Sequence, residues 1–99
     1  MEHTHEELCA ILNEQTGQLS WSELEKHFAR GVVIKVAAKL DLIEVAAAVV
    51  RDDKEAMTQW TKSLLVDHAN EQDAKDWYQR QPAFWAVVVA PWVLIQEKT

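Results

Sequence analysis

The sequence predicts an α+β domain in which four to five helices pack on a small, two- or three-stranded, mainly antiparallel sheet. Apolar residues recur at helical spacing behind capping residues in several segments, and β-branched residues dominate 32–36 and much of 84–95. A composition of 48% hydrophobic and 26% charged residues is typical of a globular chain. We expect one domain over 1–99, with flexible ends at 1–5 and 97–99.

The first helix is predicted over 5–16, because Leu8, Ile11 and Leu12 fall on one helical face. Gly17 is expected to end this helix in a left-handed conformation, which glycine adopts without steric cost.

The second helix begins at Ser20, which forms a capping box with Glu23, and ends at Gly31. Its buried stripe consists of Trp21, Leu24 and Phe28. The β-branched run at 32–36 follows directly and predicts the first strand.

An alanine-rich, almost entirely apolar segment at 42–51 predicts a buried helix. Asp52 and Asp53 then precede Lys54 and Glu55, which is the pattern of a new helix start. The inner face of that helix is formed by Ala56, Met57, Trp60 and Leu64. The pattern leaves open whether the two helices are separate or continuous.

The apolar residues 64–66 predict a short strand, and Asn70 with Asp73 predicts the start of a last helix. Pro82 lies just beyond that helix, as helix-ending prolines do. Its apolar side carries Ala74, Trp77 and Tyr78.

The segment 84–95 contains no charged residue, and as a single strand its twelve residues would span roughly 40 Å. Pro91 lacks a backbone N–H, so we predict two strands with a bulge or an edge position at Pro91. Both faces of the segment are apolar, which requires a cover from helices or from a second subunit. The residues predicted to form a subunit interface are Trp85, Val87, Val89, Trp92 and Leu94.

Charge and residue usage exclude several classes of function. The formal net charge is -6 and the ten basic residues are scattered, so no basic patch for nucleic acid is predicted. The longest apolar run is too short for a membrane-spanning helix. With two glycines the chain lacks phosphate-binding loops, and the single Cys9 excludes an internal disulfide. We therefore expect a cytoplasmic protein that binds neither nucleic acid nor membrane.

Several phrases resemble a known family: FARG at 28–31, LDLIEVA at 40–46, the Asp52–Asp53 pair, Trp60, and above all FWAVVVAPWVLIQE at 84–97. They are similar to a family of small bacterial proteins described as domain of unknown function 2288. The resemblance spans about 12–97. It implies a bacterial, cytoplasmic origin and transfers no catalytic or binding residue.

Metal-ligand chemistry is present near the N-terminus, where the donor residues are His3, His5, Glu6, Glu7 and Cys9. His5 and Cys9 share one helical face, and Met1-Glu2-His3 suits square-planar Cu(II) or Ni(II). The simpler interpretation is a solvated terminus, because a structural zinc site needs four placed ligands. The sequence predicts no metal and no cofactor.

The first hypothesis for function is a homo-oligomeric interaction module, expected to be a homodimer, that uses the apolar segment 84–95. The alternative is a metal-assisted enzyme that uses the carboxylates of Asp41, Glu44, Asp52 and Asp53. Helix capping explains these carboxylates without an ion. A third hypothesis is a small-molecule pocket lined by Trp60, Trp77, Tyr78, Trp85 and Trp92. No substrate is predicted.

Overall fold

Five helices flank a five-stranded sheet in the computed structural model, which describes residues 4–98. The helices are α1 (His5–Gln15), α2 (Trp21–Ala29), α3 (Leu42–Val50), α4 (Lys54–Lys62) and α5 (Glu71–Arg80). The strands are β1 (Gly17–Ser20), β2 (Val33–Val36), β3 (Val66–His68), β4 (Ala83–Val89) and β5 (Trp92–Glu97). The α+β class and the number of helices agree with the sequence prediction.

The sheet is larger than predicted; it is mixed, with three antiparallel strand pairs and one parallel pair among residues 4–98, and so is mainly antiparallel as predicted. Its strand order is β1-β4-β5-β2-β3. The β2 and β5 strands are parallel, with Ile34 beside Leu94, whereas the other pairs are antiparallel. The predicted two or three strands were too few, and the strand with no counterpart in the sequence prediction is β1, a four-residue edge strand with little apolar periodicity.

The apolar segment at 84–95 forms a hairpin, as its length required. The β4 and β5 strands pair in register from Phe84 opposite Glu97 to Val89 opposite Trp92. Ala90 and Pro91 form the turn between them. Pro91 therefore lies in a hairpin turn, and the predicted bulge or edge position was wrong.

Helices cover both faces of the sheet, so this chain itself buries most of the two-sided apolar hairpin. On one face α1, α3 and α4 cover a core cluster that contains Val87 and Leu94. On the other face α2 and α5 cover a second cluster that contains Phe84 and Ile95. Both clusters consist of buried residues with partly buried apolar neighbours.

Local capping chemistry sets the helix starts where the sequence predicted them. Ser20 Oγ accepts a hydrogen bond from Glu23 N over 3.3 Å, and Asp53 accepts one from Ala56 N over 3.1 Å. Asp52 lies between α3 and α4 with a φ of 56°. This left-handed residue separates the two helices, which settles the question left open by the sequence.

Two predicted boundaries were wrong. Gly17 does not cap α1 but begins β1, since the cap residue Thr16 is extended with φ -74° and ψ 129°. The third strand lies at Val66–His68 rather than at 64–66, because Leu64 occupies a turn with a φ of 59°.

Part of each predicted flexible end carries regular structure. His5 begins α1, Glu97 ends β5, and Lys98 N donates a hydrogen bond to Ala83 O over 2.9 Å. Residues 1–3 and 99 lie outside the described residues. Among the described helices, none is long or apolar enough to cross a lipid bilayer.

Candidate metal centre

Three donor side chains from two helices converge at one point of the surface. His5 Nε2 lies 3.1 Å from Glu44 Oε1 and 3.0 Å from Glu44 Oε2. Cys9 Sγ lies 3.5 Å from His5 Nε2 and 3.8 Å from Glu44 Oε1. One donor atom from each residue lies within 4.8 Å of the other two. Within residues 4–98, this is the one group of at least three His, Cys, Asp or Glu side chains placed closely enough to hold a metal ion.

The first helix supplies two of the donors. Thr4 caps α1 by accepting a hydrogen bond from Glu7 N over 3.1 Å. His5 and Cys9 are separated by one helical turn, so both side chains project from one face. Leu8 and Leu12 on the neighbouring part of that face pack into the first core cluster. Docking of α1 through these leucines therefore turns His5 and Cys9 toward α3.

The third donor comes from the first turn of α3. Asp41 caps this helix by accepting hydrogen bonds from Ile43 N over 2.9 Å and from Glu44 N over 3.4 Å. Five residues of α3 are buried. Glu44 therefore projects from a rigid element, which fixes its carboxylate opposite α1.

The donor separations fit the edges of a tetrahedron around zinc. Zinc–ligand distances of 2.0–2.3 Å and tetrahedral angles place sulfur about 3.6 Å from nitrogen, nitrogen about 3.3 Å from oxygen, and sulfur about 3.6 Å from oxygen. The observed separations are 3.5 Å, 3.0–3.1 Å and 3.8 Å in the same order. The separations of the three donor atoms are thus compatible with three corners of a zinc tetrahedron. The same distances also suit the hydrogen bonds that join the three groups when no ion is bound.

Partial burial raises the pKa of the Cys9 thiol, and the negative charge and hydrogen bond of Glu44 raise it further. The thiol is therefore protonated at neutral pH in the metal-free protein. A metal ion that binds here must displace this proton, as is general for thiolate ligands.

The site is open to water, since the side chains of His5 and Glu44 are 48% and 52% exposed. An ion bound by these residues would keep a coordination position that solvent or another ligand can reach. Three protein ligands with an open fourth position are typical of catalytic zinc sites and also allow the ion to exchange, whereas structural zinc sites are closed by four protein ligands.

The comparisons with known proteins identify the family of the chain. A profile described as "Protein of unknown function (DUF2288)" matches residues 7–97. The chain belongs to the DUF2288 family. The NMR solution structure of PA1075 from Pseudomonas aeruginosa is similar, with 44% identity and a TM-score of 0.83 over 100% of this chain and 94% of that chain. A search of the curated proteins finds no match.

The family resemblance predicted from the sequence is thereby confirmed. Cys9 and Glu44 lie inside the part of the chain that matches DUF2288, and His5 lies two residues before it. Because the family description carries no activity, the chemistry of this DUF2288 protein has to be argued from its geometry.

The four carboxylates of the enzyme hypothesis do not meet in this DUF2288 protein. Asp41 caps α3, Asp53 caps α4, and Asp52 lies 3.9 Å from Lys54 Nζ. Asp41 and Glu44 lie at the start of α3, whereas Asp52 and Asp53 follow its end, about 12 Å or more along the helix. Capping and a surface ion pair account for three of the four, and only Glu44 joins a donor cluster.

The five predicted interface residues occupy different environments. Val87 and Leu94 are 1% and 0% exposed and belong to the core of this chain. Val89 and Trp92 are partly buried against the same cluster, and Trp85 is 37% exposed. Of the two covers that the sequence left open, helices rather than a second subunit cover Val87 and Leu94, since both belong to the core cluster under α1 and α3. The homodimer itself stays a prediction.

The tryptophans do not share one pocket. Trp77 packs at 5.8 Å from Trp21 and at 5.1 Å from Phe84, ring centre to ring centre, and so belongs to the second core cluster. Trp85 and Trp92 line separate cavities of about 520 and 250 Å³. The small-molecule hypothesis therefore loses its single aromatic-lined site.

Proposed function

We propose that this protein binds an exchangeable divalent transition-metal ion, zinc in the first place, through His5 Nε2, Cys9 Sγ and the Glu44 carboxylate. The convergence of these three donors within 4.8 Å carries the proposal. A thiolate, an imidazole and a carboxylate together suit zinc better than they suit magnesium or calcium, which prefer oxygen ligands alone.

The openness of the site favours ion exchange over catalysis. Metal-dependent enzymes derive much of their rate from an enclosed site in which water is excluded and polar groups are already oriented. His5 and Glu44 are about half exposed, which leaves a bound ion in contact with bulk water. Uptake, release or sensing of the metal fits this arrangement.

Titration with Co²⁺ tests the proposal directly. Cobalt adopts the zinc geometry, and its thiolate bond gives a charge-transfer absorption that reports Cys9 as a ligand. We expect this band to appear on titration and to be displaced by Zn²⁺. The experiment uses protein without an affinity tag in which His3 is replaced by alanine (His3→Ala), so that Met1-Glu2-His3 cannot bind the added metal separately.

Variants of each donor identify the ligand set. We expect Zn²⁺ binding to weaken on the order of 100-fold or more in each of His5→Gln, Cys9→Ala and Glu44→Gln. Removing a residue that only hydrogen-bonds to a metal ligand typically weakens binding about 10- to 100-fold, and removing the ligand itself should cost more. His68→Gln and Glu25→Gln change the same residue types at other exposed positions and serve as controls. Equal affinity in the donor variants and in the controls would refute the proposed site.

A further inference from the structure

Metal bound by these three residues would join two helices that are distant in the sequence. His5 and Cys9 belong to α1, whereas Glu44 lies 39 and 35 residues further along the chain, in α3. An ion with ligands on both helices is therefore a cross-link, in addition to being a bound ligand. This inference rests on the proposed function.

The helix at one end of this cross-link is lightly held. Leu12 is the one buried residue among the described residues of α1, and Leu8 and Cys9 are partly buried beside it. The contact between His5 and Glu44 is exposed and contributes little to docking. An eleven-residue helix is marginal when isolated in water, so α1 depends on its contacts with the rest of the domain.

The helix at the other end is firmly held. Five of the nine residues of α3 are buried, among them Val45 and Ala46 at 0% exposure. Because α3 packs on β4 and β5 as well as on α1, Glu44 is a fixed point, and a metal bond to it restrains α1 relative to the core.

We infer that metal occupancy controls the docking of α1 on α3. An ion that requires ligands from both helices binds only the protein in which α1 is docked. It therefore lowers the equilibrium constant for undocking of α1 by a factor of 1 + c/Kd, in which c is the free ion concentration. At an ion concentration of 100 times Kd this factor is roughly 100. Loss of the ion loosens α1 and uncovers apolar residues of the first core cluster, beginning with the contacts of Leu12.

Hydrogen exchange measured by NMR tests this inference on the whole chain. Under conditions in which exchange reports the opening equilibrium, Zn²⁺ at 100 times its Kd should slow the amides of the second half of α1 roughly 100-fold. The amides of α5, on the opposite face of the sheet, should slow far less. The cobalt titration run in parallel reports whether the ion is bound.

The Glu44→Gln variant separates a cross-link from a purely local effect. His5 and Cys9 remain in this variant and can still bind an ion across one turn of α1, but the bond to α3 is lost. If zinc at a concentration that loads both proteins slows α1 equally in the wild-type protein and in Glu44→Gln, the cross-link is refuted.

Two further results distinguish this inference from the proposal on which it rests. In the first, the cobalt spectrum shows binding, but the amides of α1 do not exchange more slowly, or those of α5 slow equally. This result would overturn control of α1 docking by the metal and would leave the metal site intact. Absence of any cobalt or zinc binding would overturn both.

Discussion

Adjacent valines in β4 provide the sharpest test of how the hairpin is buried. Val87 is 1% exposed and faces the first core cluster, whereas Val88 is 60% exposed on the opposite face. The substitutions Val87→Ala and Val88→Ala remove the same atoms from neighbouring positions of the same strand. They therefore share chemistry and strand propensity, and differ in burial.

The expected difference follows from the atoms removed. Truncating buried Val87 removes the equivalent of two methylene groups, worth about 0.8 kcal/mol each, and leaves a cavity between Leu94 and α3 that raises the loss to about 2–3 kcal/mol. Val88→Ala should change the free energy of unfolding by no more than about 0.5 kcal/mol. With a urea m-value of about 1.5 kcal/mol/M, the two midpoints should differ by roughly 1–2 M.

Urea unfolding followed by tryptophan fluorescence at several protein concentrations measures the midpoints of both variants. If Val87 is a core residue of one chain, its substitution lowers the midpoint equally at every concentration. Equal midpoints for the two variants, or a shift between wild type and Val87→Ala that changes with protein concentration, would contradict this placement.

Three other expectations concern single contacts and assembly. Asp53→Ala should lower the free energy of unfolding by about 1 kcal/mol, and Asp53→Ser should restore most of it, because serine also accepts the hydrogen bond from Ala56 N; an equal loss in both would rule out capping. Hydrogen bonds from Arg80 hold the pKa of Asp76 below its usual value, so its contribution to stability is complete above about pH 4 and is lost as pH falls through the lower folded value. The gap in urea midpoint between wild type and Asp76→Asn should therefore shrink below about pH 4, and a constant gap would contradict the shift. For the predicted homodimer, light scattering at micromolar concentration should give twice the mass of the chain and Trp85→Arg should reduce it, whereas a monomeric wild type would end the prediction.

The features that the sequence predicted well are those decided within a few residues. The capping box of Ser20 and Glu23 starts α2, and Gly31 ends it with a φ of 74°. Asp53 separates α4 from α3 in the same local manner. Such interactions need only neighbours along the chain, so the residue pattern contains them in full.

The sheet was predicted less well because strand pairing is long-range. The β1 strand, Gly17–Ser20, carries a single large apolar residue, Leu19, and becomes a strand only because β4 offers it an open edge. The parallel alignment of β2 with β5 joins residues about sixty positions apart. Neither pairing leaves a periodic pattern in its own segment, since both depend on which edges remain free after the hairpin forms.

The donor cluster shows where sequence reasoning stopped short. In the sequence its members belong to two separate groups, because His5 and Cys9 lie in a segment expected to be a solvated terminus and Glu44 is one of several carboxylates at helix ends. One signal in the sequence does connect them to the interior: His5, Cys9 and Leu12 follow one another at spacings of four and three, so they share the face by which α1 docks. A solvated terminus would not dock on the domain, so the position of His5 and Cys9 on the same face as Leu12 favours a packed helix instead. The partner of that face could not be predicted, because the packing of α1 on α3 is a tertiary contact, and only that contact brings the Glu44 carboxylate to within 3.0 Å of His5 Nε2.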